Sequence, residues 1–575
     1  MNPPLLVFWA IVTTARRGSR IGEHIAYSIL NLQHLTDRRG AIPFVSPPPF
    51  SGKPFGQMAT ILLAAVCKLA FDTWRVLRSI TLPYRIVFFG PKNMVINHYL
   101  PRIPWISMGN SWASDEKHTG YRENGLDVLV TVSFWPRLVA VYQVADSSIA
   151  KAITAPRTPF LSPVEDFGAL LEFGRSIFST EGAEWKMQRR VCAPAFLGVT
   201  FLQSTNRLVW SETVRICNEL YEEVWEERDQ IDYDHIVSGF SLPIALQVLC
   251  AASWGRRISW NDEELPGEGK KFSFKEAICV VSENMALKTA LPRWAFDLTE
   301  GLRDIQRAFD DLRMYILEMV EERRALQDFE RHDLFSKMLA SCDEEVGFTE
   351  DDLFGNLFTF TLAGHGTTAN TLAFALGLLA LHPDEQEKLY NDIMSVVPQG
   401  STPTYDDMTA LPRILAVYYE TLRLYAPSPY IMKRSPEDAY FTVTNQVGEP
   451  NPVCVPAGSW LFVSFPALHY NEHYWDRPTE FVPDRFMGDW PKDAFVPFSQ
   501  GARACLGRKF FETEGVAILA TLLPKYKVSI KEEPEFAHET FEERKARVLA
   551  GRMSVMYAPI RLPITFTRRD AKESH

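Results

Sequence analysis

Five residues in the segment FSQGARACLG at 498–507 could together build a reactive site: Phe498, Gly501, Arg503, Cys505 and Gly507. The two glycines carry no Cβ, so the backbone can approach a neighbouring group closely. Arg503 is a permanent cation suited to a carboxylate. The other cysteines are scattered, with no C-x-x-C pair and no zinc-type Cys/His spacing. We therefore expect reduced thiols in a cytosol-facing protein, with Cys505 either a metal ligand or an ordinary small core residue.

This segment resembles the cysteine loop of the cytochrome P450 family, F-x-x-G-x-R-x-C-x-G, which chance would match in roughly one window per few million. The resemblance implies heme b bound through Cys505, whose thiolate pushes electron density toward bound O2 and favours O–O cleavage. It also implies that Arg503 neutralises a haem propionate and that backbone N–H groups near Cys505 tune the thiolate. At Gly501 and Gly507, a Cβ would collide with the porphyrin or the sulfur.

Glu420 and Arg423, in the segment ETLRLYAPSP, stand three residues apart, which on a helix places both side chains on one face as an ion pair. Glu321 and Arg324 have the same spacing in a charged segment, so the spacing alone is weak evidence. The first pair resembles the family's E-x-x-R element because it precedes Cys505 as the family places it. This implies a structural role for the pair rather than a catalytic one.

Three further residue sets extend the resemblance. The segment FVPDRF is similar to the family's P-x-R-F element, which implies that Arg485 joins the E-x-x-R pair in one network. Trp185 and Arg189 stand four apart and resemble W-x-x-x-R, whose indole N–H and guanidinium donate to a haem propionate; a surface stacking pair is the alternative. Lys433 is a further propionate candidate, although a gap in the alignment would give the role to Arg434.

The segment AGHGTT resembles the family's oxygen-binding element A/G-G-x-D/E-T-T at Ala363, Gly364, Thr367 and Thr368. The resemblance implies that the glycines let the helix open and pass close to haem. It also implies that the Thr367 hydroxyl binds dioxygen and relays protons. Gly366 stands where the family has an acid. We therefore expect protons to travel through water in the space that a Glu side chain would fill.

Each residue of an α-helix is turned by about 100° from the one before it. His365 and Thr367, two residues apart, therefore point about 160° apart around the helix axis. Only one of them can face haem. The family match places Thr367 there, together with Ala363 and Phe360. We therefore expect His365 to be a hydrogen-bonded core histidine.

A helix of some thirty residues is predicted from Thr349, where Asp352 completes a capping box, to the His382-Pro383 break. No charged residue lies between Asp352 and Asp384, which by charge alone would suggest a transmembrane helix. Its asparagines, threonines and histidine are unwelcome in lipid. The pattern therefore favours a helix about 45 Å long, buried in a large soluble domain.

The composition, 46% hydrophobic and 23% charged over 575 residues, is typical of a globular protein with a large core. A formal net charge of −11 disfavours a nucleic-acid partner. Residues 1–110 form an N-terminal extension whose apolar runs, at 3–14 and 58–71, are shorter than the roughly 20 residues of a spanning helix. They are candidate membrane anchors, or alternatively a signal peptide or an amphipathic surface segment. Residues 111–575 read as one continuous catalytic domain.

The resemblance, which covers roughly residues 100–560, implies a mainly α fold with small β-sheets and a haem buried between a long central helix and the cysteine loop. The segment GNLFTFTLAGHGTTANTL is similar to fungal microsomal members. They sit on the endoplasmic reticulum membrane, face the cytosol, and receive NADPH electrons through the flavoprotein NADPH-cytochrome P450 reductase. Basic residues near the haem motifs could dock this partner: Lys186, Arg190, Arg508 and Lys509.

The function predicted on this basis is monooxygenation, with one oxygen atom from O2 inserted into a lipophilic small molecule such as a terpenoid or another secondary metabolite. The contact segments implied by the family are 155–175, Phe360–Ala363, Ser428–Ile431 and Arg552–Met556. The missing acid leaves open a reductase-independent isomerase, dehydratase or peroxygenase. A non-catalytic haem sensor is a further alternative.

Overall fold

The computed structural model describes residues 67–569, apart from 69, 136, 137, 167, 198, 227, 259, 261–264, 327–332, 346, 399, 446, 447 and 554. The apolar run at 3–14 lies outside these residues, as does most of the run at 58–71. The chain divides into two compact units. The first is Met1–Thr81 with Pro136–Leu138, in which residues 70–79 are helical, and the second is Leu82–Trp135 with Val139–His575. The domain boundary expected near residue 110 remains a prediction.

The described part of the second unit is mainly α-helical. Its helices are α1 Met94–Tyr99, α2 Trp112–Glu116, α3 Thr119–Asn124, α4 Ser147–Thr154, α5 Gly182–Leu197, α6 Val199–Glu219, α7 Leu242–Trp254, α8 Phe274–Ala290, α9 Glu300–Leu326, α10 Leu334–Glu344, α11 Glu350–Leu381, α12 Pro383–Val396, α13 Pro412–Leu424, α14 Phe465–His469, α15 Arg508–Leu522 and α16 Phe541–Val548.

The strands of the same unit are short. They are β1 Tyr84–Val87, β2 Val128–Ser133, β3 Val139–Val144, β4 Gln230–Tyr233, β5 Tyr430–Arg434, β6 Ala439–Thr444, β7 Pro450–Val455, β8 Trp460–Ser464, β9 Tyr526–Ile530, β10 Gly551–Met553, β11 Tyr557–Pro559 and β12 Ile564–Arg568.

The largest described sheet has the order β1-β2-β3-β8-β5. β1 pairs with β2 in parallel, β2 and β3 form an antiparallel hairpin, β3 pairs with β8 in parallel, and β8 with β5 in antiparallel register. β2 and β3 are valine-rich and wholly buried, as expected for strands covered on both faces. The smaller sheets are β4-β12-β9, β6-β7 and β10-β11. Helices with small sheets confirm the predicted fold class.

The long helix α11 runs through the core. Its N-cap is Thr349, whose hydroxyl accepts from the Asp352 amide at 3.2 Å while an Asp352 carboxylate oxygen accepts from the Thr349 amide at 2.8 Å. The next helix begins at Pro383, so both predicted ends of α11 are confirmed. α11 packs against α7, α13 and α15, and most of its residues are buried. It is the core helix that the sequence favoured over a membrane span.

Within the described residues, one stretch is apolar and long enough to cross a membrane, Val237–Trp254, which contains α7. Of this stretch, 72% is buried inside the fold. Burial of this extent is what a core helix of a large domain shows, so its length and composition carry no membrane assignment.

Candidate active site

Cys505 lies on a loop between a 3-10 turn, Gly501–Arg503, and the first residue of α15. The Cys505 amide donates to the Phe498 carbonyl at 2.8 Å, which closes the loop. Gly501 has a φ of +68°, and a Cβ there would lie 1.9 Å from the Thr154 carbonyl oxygen at the end of α4. A side chain at 501 would therefore push the loop off α4, so this glycine is required by packing within the protein itself.

The Cys505 sulfur accepts hydrogen bonds from the backbone amides of Gly507 and Arg508. These amides and the Arg508 charge lower the pKa of Cys505, but burial outweighs them and leaves the pKa above its ordinary value. A Cβ at Gly507 would stand 3.8 Å from the sulfur, which is ordinary contact. The expected collision between a residue-507 side chain and the sulfur is therefore wrong.

Cys505 is surrounded by protein, yet its side chain is exposed. Cys192 shows the contrast: burial also raises the pKa of this thiol, but its side chain is completely covered. A thiol that is both desolvated and accessible is available to a bound group. Cys505 is therefore not an ordinary core cysteine, and its neighbour Leu506 packs against the apolar cluster that contains Leu357 and Leu362 of α11.

A cluster of cations stands beside the cysteine loop. Arg503 donates to the Glu181 carboxylate at 2.8 Å and to the Thr180 carbonyl at 2.6 Å. Its guanidinium lies 4.8 Å from the centre of the Trp185 ring, and the Arg189 guanidinium lies 5.7 Å from the same ring. The structure thus brings the predicted Trp185, Arg189 and Arg503 together around one indole.

Lys433 belongs to the same cluster. Its ammonium donates to the Ser162 hydroxyl at 3.2 Å, and burial, followed by the charge of Arg503, lowers the pKa of Lys433 to about 8. Among the described residues, no carboxylate lies within 4.0 Å of Lys433 or Arg189. The cluster therefore has more positive charge than Glu181 can balance, and a pair of carboxylates such as the haem propionates would fit it.

An open strip runs along the otherwise buried α11. Ala363 is exposed, while Phe360, Gly364 and Thr367 are partly exposed and Thr368 is buried. The Thr367 hydroxyl donates to the Ala363 carbonyl at 2.8 Å, and Thr368 donates to Gly364 at 3.0 Å. α11 is continuous through this segment, so the expected opening of the helix is wrong. The strip is where a bound group could approach α11.

The two glycines of the AGHGTT segment accommodate neighbouring side chains. A Cβ at Gly364 would lie 2.9 Å from a methyl carbon of Leu249 on α7, so this glycine permits close packing of two helices. A Cβ at Gly366 would lie 3.0 Å from the Met556 sulfur. Met556 therefore crowds the position of a Cβ at 366, and a water path in place of an acid side chain stays a prediction.

His365 lies on the protein side of α11, as helix geometry predicted. The side chain is buried; its Nδ1 is 2.7 Å from the Thr361 carbonyl oxygen and its Nε2 is 3.3 Å from the Ser282 hydroxyl. Burial holds the pKa of His365 below its ordinary value. A neutral histidine saturated by two partners stabilises the helix and does not face the open strip.

Glu420, Arg423 and Arg485 form one buried network. Arg423 makes a bidentate pair with Glu420 at 2.7 and 2.8 Å, and Arg485 reaches the same carboxylate at 3.0 Å. Arg423 also donates to the His469 and Pro478 carbonyls at 2.9 and 2.7 Å. The Arg485 contact and the two carbonyl contacts tie α13 to the segment that leads to the cysteine loop, so the geometry is structural.

Sequence reasoning missed three contacts. Glu181, which binds Arg503, and Ser162, which binds Lys433, are distant in sequence from their partners, and no local pattern marks them. Met556 lay in an expected contact segment, but its approach to Gly366 was not foreseen. The signal that could have found it is the missing acid itself, since a lost side chain leaves volume that a close-packed core tends to fill.

Comparisons with known proteins agree with this geometry. The sequence profile of the family described as "Cytochrome P450" matches residues 138–548. The chain is similar to "Cytochrome P450 monooxygenase 124" of Postia placenta, with 41% identity over 84% of this chain and 92% of the relative. A relative from Streptomyces melanosporofaciens, "Cyclooctat-9-en-7-ol 5-monooxygenase", is 28% identical over 62% of this chain and 73% of its own. The solved cytochrome P450DA heme domain superposes with a TM-score of 0.66 at 21% identity, covering 85% of this chain and 98% of its own.

Proposed function

The chain belongs to the cytochrome P450 family and is a monooxygenase, and we propose that Cys505 is the axial ligand of its haem iron. The observation that carries this assignment is Cys505, which is exposed although its sulfur is desolvated, and whose sulfur accepts from two backbone amides. Those amides would stabilise the thiolate that metal ligation requires. The resident cofactor of the family is haem, and the cation cluster fits its propionates.

We assign the cluster residues to cofactor binding. Trp185, Arg189, Lys433 and Arg503 would hold the propionates by donating hydrogen bonds and balancing charge. Glu181 would keep Arg503 in place. Bound haem iron supplies the activation of O2 from which one oxygen atom enters the substrate and the other leaves as water. That stoichiometry consumes two electrons and two protons, so a proton donor must stand near the open strip.

Thr367 is the proposed donor, because its hydroxyl lies on the open strip beside Ala363. It now donates to a carbonyl of its own helix, and rotation about one bond would redirect the proton outward. Ala363 would leave room for substrate. Gly364 would act through packing, and the buried Thr368 would support the turn. Residue 366 is a glycine and supplies no acid, and the Met556 sulfur lies 3.0 Å from where its Cβ would stand.

The assignment is tested by spectroscopy of the purified protein. It should contain protohaem and, when reduced under carbon monoxide, show the red-shifted absorption band of thiolate ligation. Cys505→Ser should lose that band, whereas Cys342→Ser, which changes a covered cysteine, should keep it. Retention of the thiolate band in Cys505→Ser would show that another residue is the ligand.

The proposed substrate is a lipophilic small molecule, a terpenoid or another secondary metabolite. Support comes from the apolar Phe196 and Phe360, whose rings meet edge to face at 4.9 Å beside the strip. The names of two relatives also refer to compounds of this class: the Streptomyces enzyme above and "Ganoderic acid synthetase CYP5150L8" of Ganoderma lucidum. Metabolite profiles of a host producing the chain with a reductase, against the same host with Cys505→Ser, would identify the product.

Electrons are proposed to come from NADPH through cytochrome P450 reductase. The basic residues near the cysteine loop would dock this partner: Lys186 is exposed, Arg190 pairs with Glu345, and Arg508 and Lys509 both pair with Glu512. A peroxide-driven reaction is the second candidate. It is favoured because Gly366 replaces the family's acid and the apolar Met556 side chain lies beside it. The reductase-dependent reaction is supported if product forms only with NADPH and reductase, and if hydrogen peroxide cannot substitute for them.

We also propose that the protein sits on the endoplasmic reticulum membrane with its catalytic domain facing the cytosol. The second unit exposes aromatic and aliphatic side chains close together: Phe88 stacks on Trp135 at 6.5 Å, and the Phe88 amide donates to the Trp105 carbonyl at 2.8 Å. Trp105 is 70% exposed and Trp135 is 50% exposed. An exposed group of tryptophans is suited to a lipid headgroup layer.

A further inference from the structure

A cavity of about 560 Å³, separate from the residues of the open strip, lies among α2, α16 and the C-terminal end of α13. Its apolar wall includes Leu378, Phe481 and Leu549, and its polar wall includes Lys117, Tyr425 and Tyr470. None of the residues assigned to haem or to the open strip lines it. The volume is within the usual range of small-molecule sites, roughly 300–1,000 Å³.

Two hydrogen-bond donors in this cavity lack acceptors. The Lys117 ammonium lies 4.3 Å from the centre of the Tyr470 ring, but among the described residues it has no carboxylate within 4.0 Å and no hydrogen bond. Burial lowers the pKa of Lys117 below its ordinary value, and the nearby charge of Asp115 offsets only part of this effect. The Tyr425 hydroxyl likewise makes no hydrogen bond to a described residue. Together they present a cation and a neutral donor.

The edge of the cavity carries acidic groups. Asp115 is exposed, and the Glu542 carboxylate, whose side chain is 77% exposed, stands 3.9 Å from the Lys545 ammonium. Lys545 is thus already partly neutralised, and Arg423, which also lines the cavity, is paired with Glu420. Lys117 is the lining cation that has no carboxylate within 4.0 Å among the described residues. Two carboxylates near the entrance disfavour a multiply charged anion such as phosphate, whereas a single negative charge can be met by Lys117.

We propose that this cavity binds a small monocarboxylate with an apolar body, whose carboxylate pairs with Lys117 and accepts from Tyr425. The apolar part lies against Leu378, Phe481 and Leu549. The pairing gives the half-buried ammonium a carboxylate at hydrogen-bond distance, which is the condition under which a partly desolvated charge is favourable. A neutral ligand of the same shape would leave Lys117 unpaired.

The test is calorimetric titration of octanoate into the haem-loaded full-length protein, with the haem iron saturated by imidazole to exclude binding there. Octanoate should bind at one site, and octanamide, its neutral counterpart, about tenfold or more weaker. Lys117→Met should weaken octanoate by a similar factor, and Tyr425→Phe by about threefold. Lys388→Met, which removes an exposed surface ammonium, should bind as the wild type does.

Each of three outcomes would overturn the proposal: no heat of octanoate binding at millimolar concentration, equal affinities for octanoate and octanamide, or displacement of octanoate by inorganic phosphate. Equal octanoate affinity in Lys117→Met would do so as well. If Lys117→Met fails to fold, the octanamide comparison on the wild type and the Tyr425→Phe variant decide the question without it.

Discussion

Met556 packs against Gly366, and the large side chain fits because residue 366 has none. The hairpin between β10 and β11 carries Met556, and the Tyr557 amide anchors it to the Pro427 carbonyl at 2.8 Å. The Tyr557 ring also stacks on Phe374 of α11 at 5.8 Å. The thioether is therefore held where a Cβ at 366 would meet its sulfur at 3.0 Å. A small residue on the helix allows a large one on the hairpin, and neither can change alone without cost.

The first prediction is that Gly366→Ala and Met556→Ala are coupled. Gly366→Ala forces Met556 aside, and Met556→Ala removes this obstacle. The double variant should therefore recover the azole affinity that Gly366→Ala loses. We expect a coupling free energy of about 0.5–3 kcal/mol for azole binding, measured by optical titration of the four proteins. Gly301→Ala, at a helical glycine with open space, is the control. Additive effects would mean that the two residues act independently.

The second prediction concerns the Glu420–Arg423 pair. Glu420→Ala leaves a guanidinium buried without its carboxylate, which costs about 3–5 kcal/mol, so little folded holoprotein should be obtained. Arg423→Ala should behave alike. Glu321→Ala is a matched control, because Glu321 and Arg324 have the same spacing on α9, where Glu321 is exposed. Normal haem content in Glu420→Ala, measured as the pyridine haemochrome, would contradict the network.

Sequence patterns predicted those parts of the molecule that depend on neighbours in the chain. The ends of α11 follow from Thr349 with Asp352 and from Pro383, because caps and proline act within one turn. The Glu420–Arg423 pair is three residues apart, so helix geometry alone brings it together. The family pattern supplied Arg485, which no local rule would have selected.

The remaining features depend on tertiary contacts. Glu181 meets Arg503, and Met556 meets Gly366, across large sequence separations, so periodicity and spacing contain no trace of them. The opening expected within α11 failed for a related reason: its glycines are expected to be flexible points, whereas Gly364 makes room for Leu249. A glycine in a helix indicates either mobility or close packing, and only the neighbouring element decides which.

The third prediction concerns pH and Lys433, whose pKa is about 8 without haem. A propionate would raise this pKa, so haem binding favours protonated Lys433. Lys433 therefore makes its full contribution to haem affinity below pH 8. This contribution falls as the pH rises from 8 toward the higher pKa of Lys433 in the haem complex. Haem transfer to excess apomyoglobin should accelerate above pH 8, and Lys433→Met should be faster at neutral pH with a flatter profile. Identical pH profiles would remove Lys433 from the propionate site.

The fourth prediction concerns membrane contact. Deleting residues 1–75 should move the protein substantially from membranes to the soluble fraction with an intact haem spectrum, because these residues precede the haem motifs. Adding Trp105→Ser and Trp135→Ser should release the remainder, since exposed tryptophans contribute to interfacial binding. Sedimentation with liposomes measures both. Tyr440→Ser, at another exposed aromatic residue, is the control, and equal sedimentation of all variants would place the contact elsewhere.

The last prediction separates Thr367 from His365 as the group that handles protons. Thr367 lies on the open strip with a hydroxyl that can turn outward, whereas His365 is buried and bonded to Thr361 and Ser282. Thr367→Ala should divert NADPH electrons to hydrogen peroxide, because oxygen is reduced without a timely proton. Thr367→Ser keeps the hydroxyl and should retain most of the coupling.

His365→Gln preserves hydrogen-bonding capacity in the core, so the ratio of product formed to NADPH consumed should change little even if the melting temperature falls. The measurement is this coupling ratio together with peroxide release, in the presence of reductase and saturating substrate. A variant that is merely destabilised loses haem in proportion to activity and keeps its ratio, which distinguishes a structural role from proton delivery. Uncoupling in His365→Gln with full coupling in Thr367→Ala would assign the proton path to the buried side of α11.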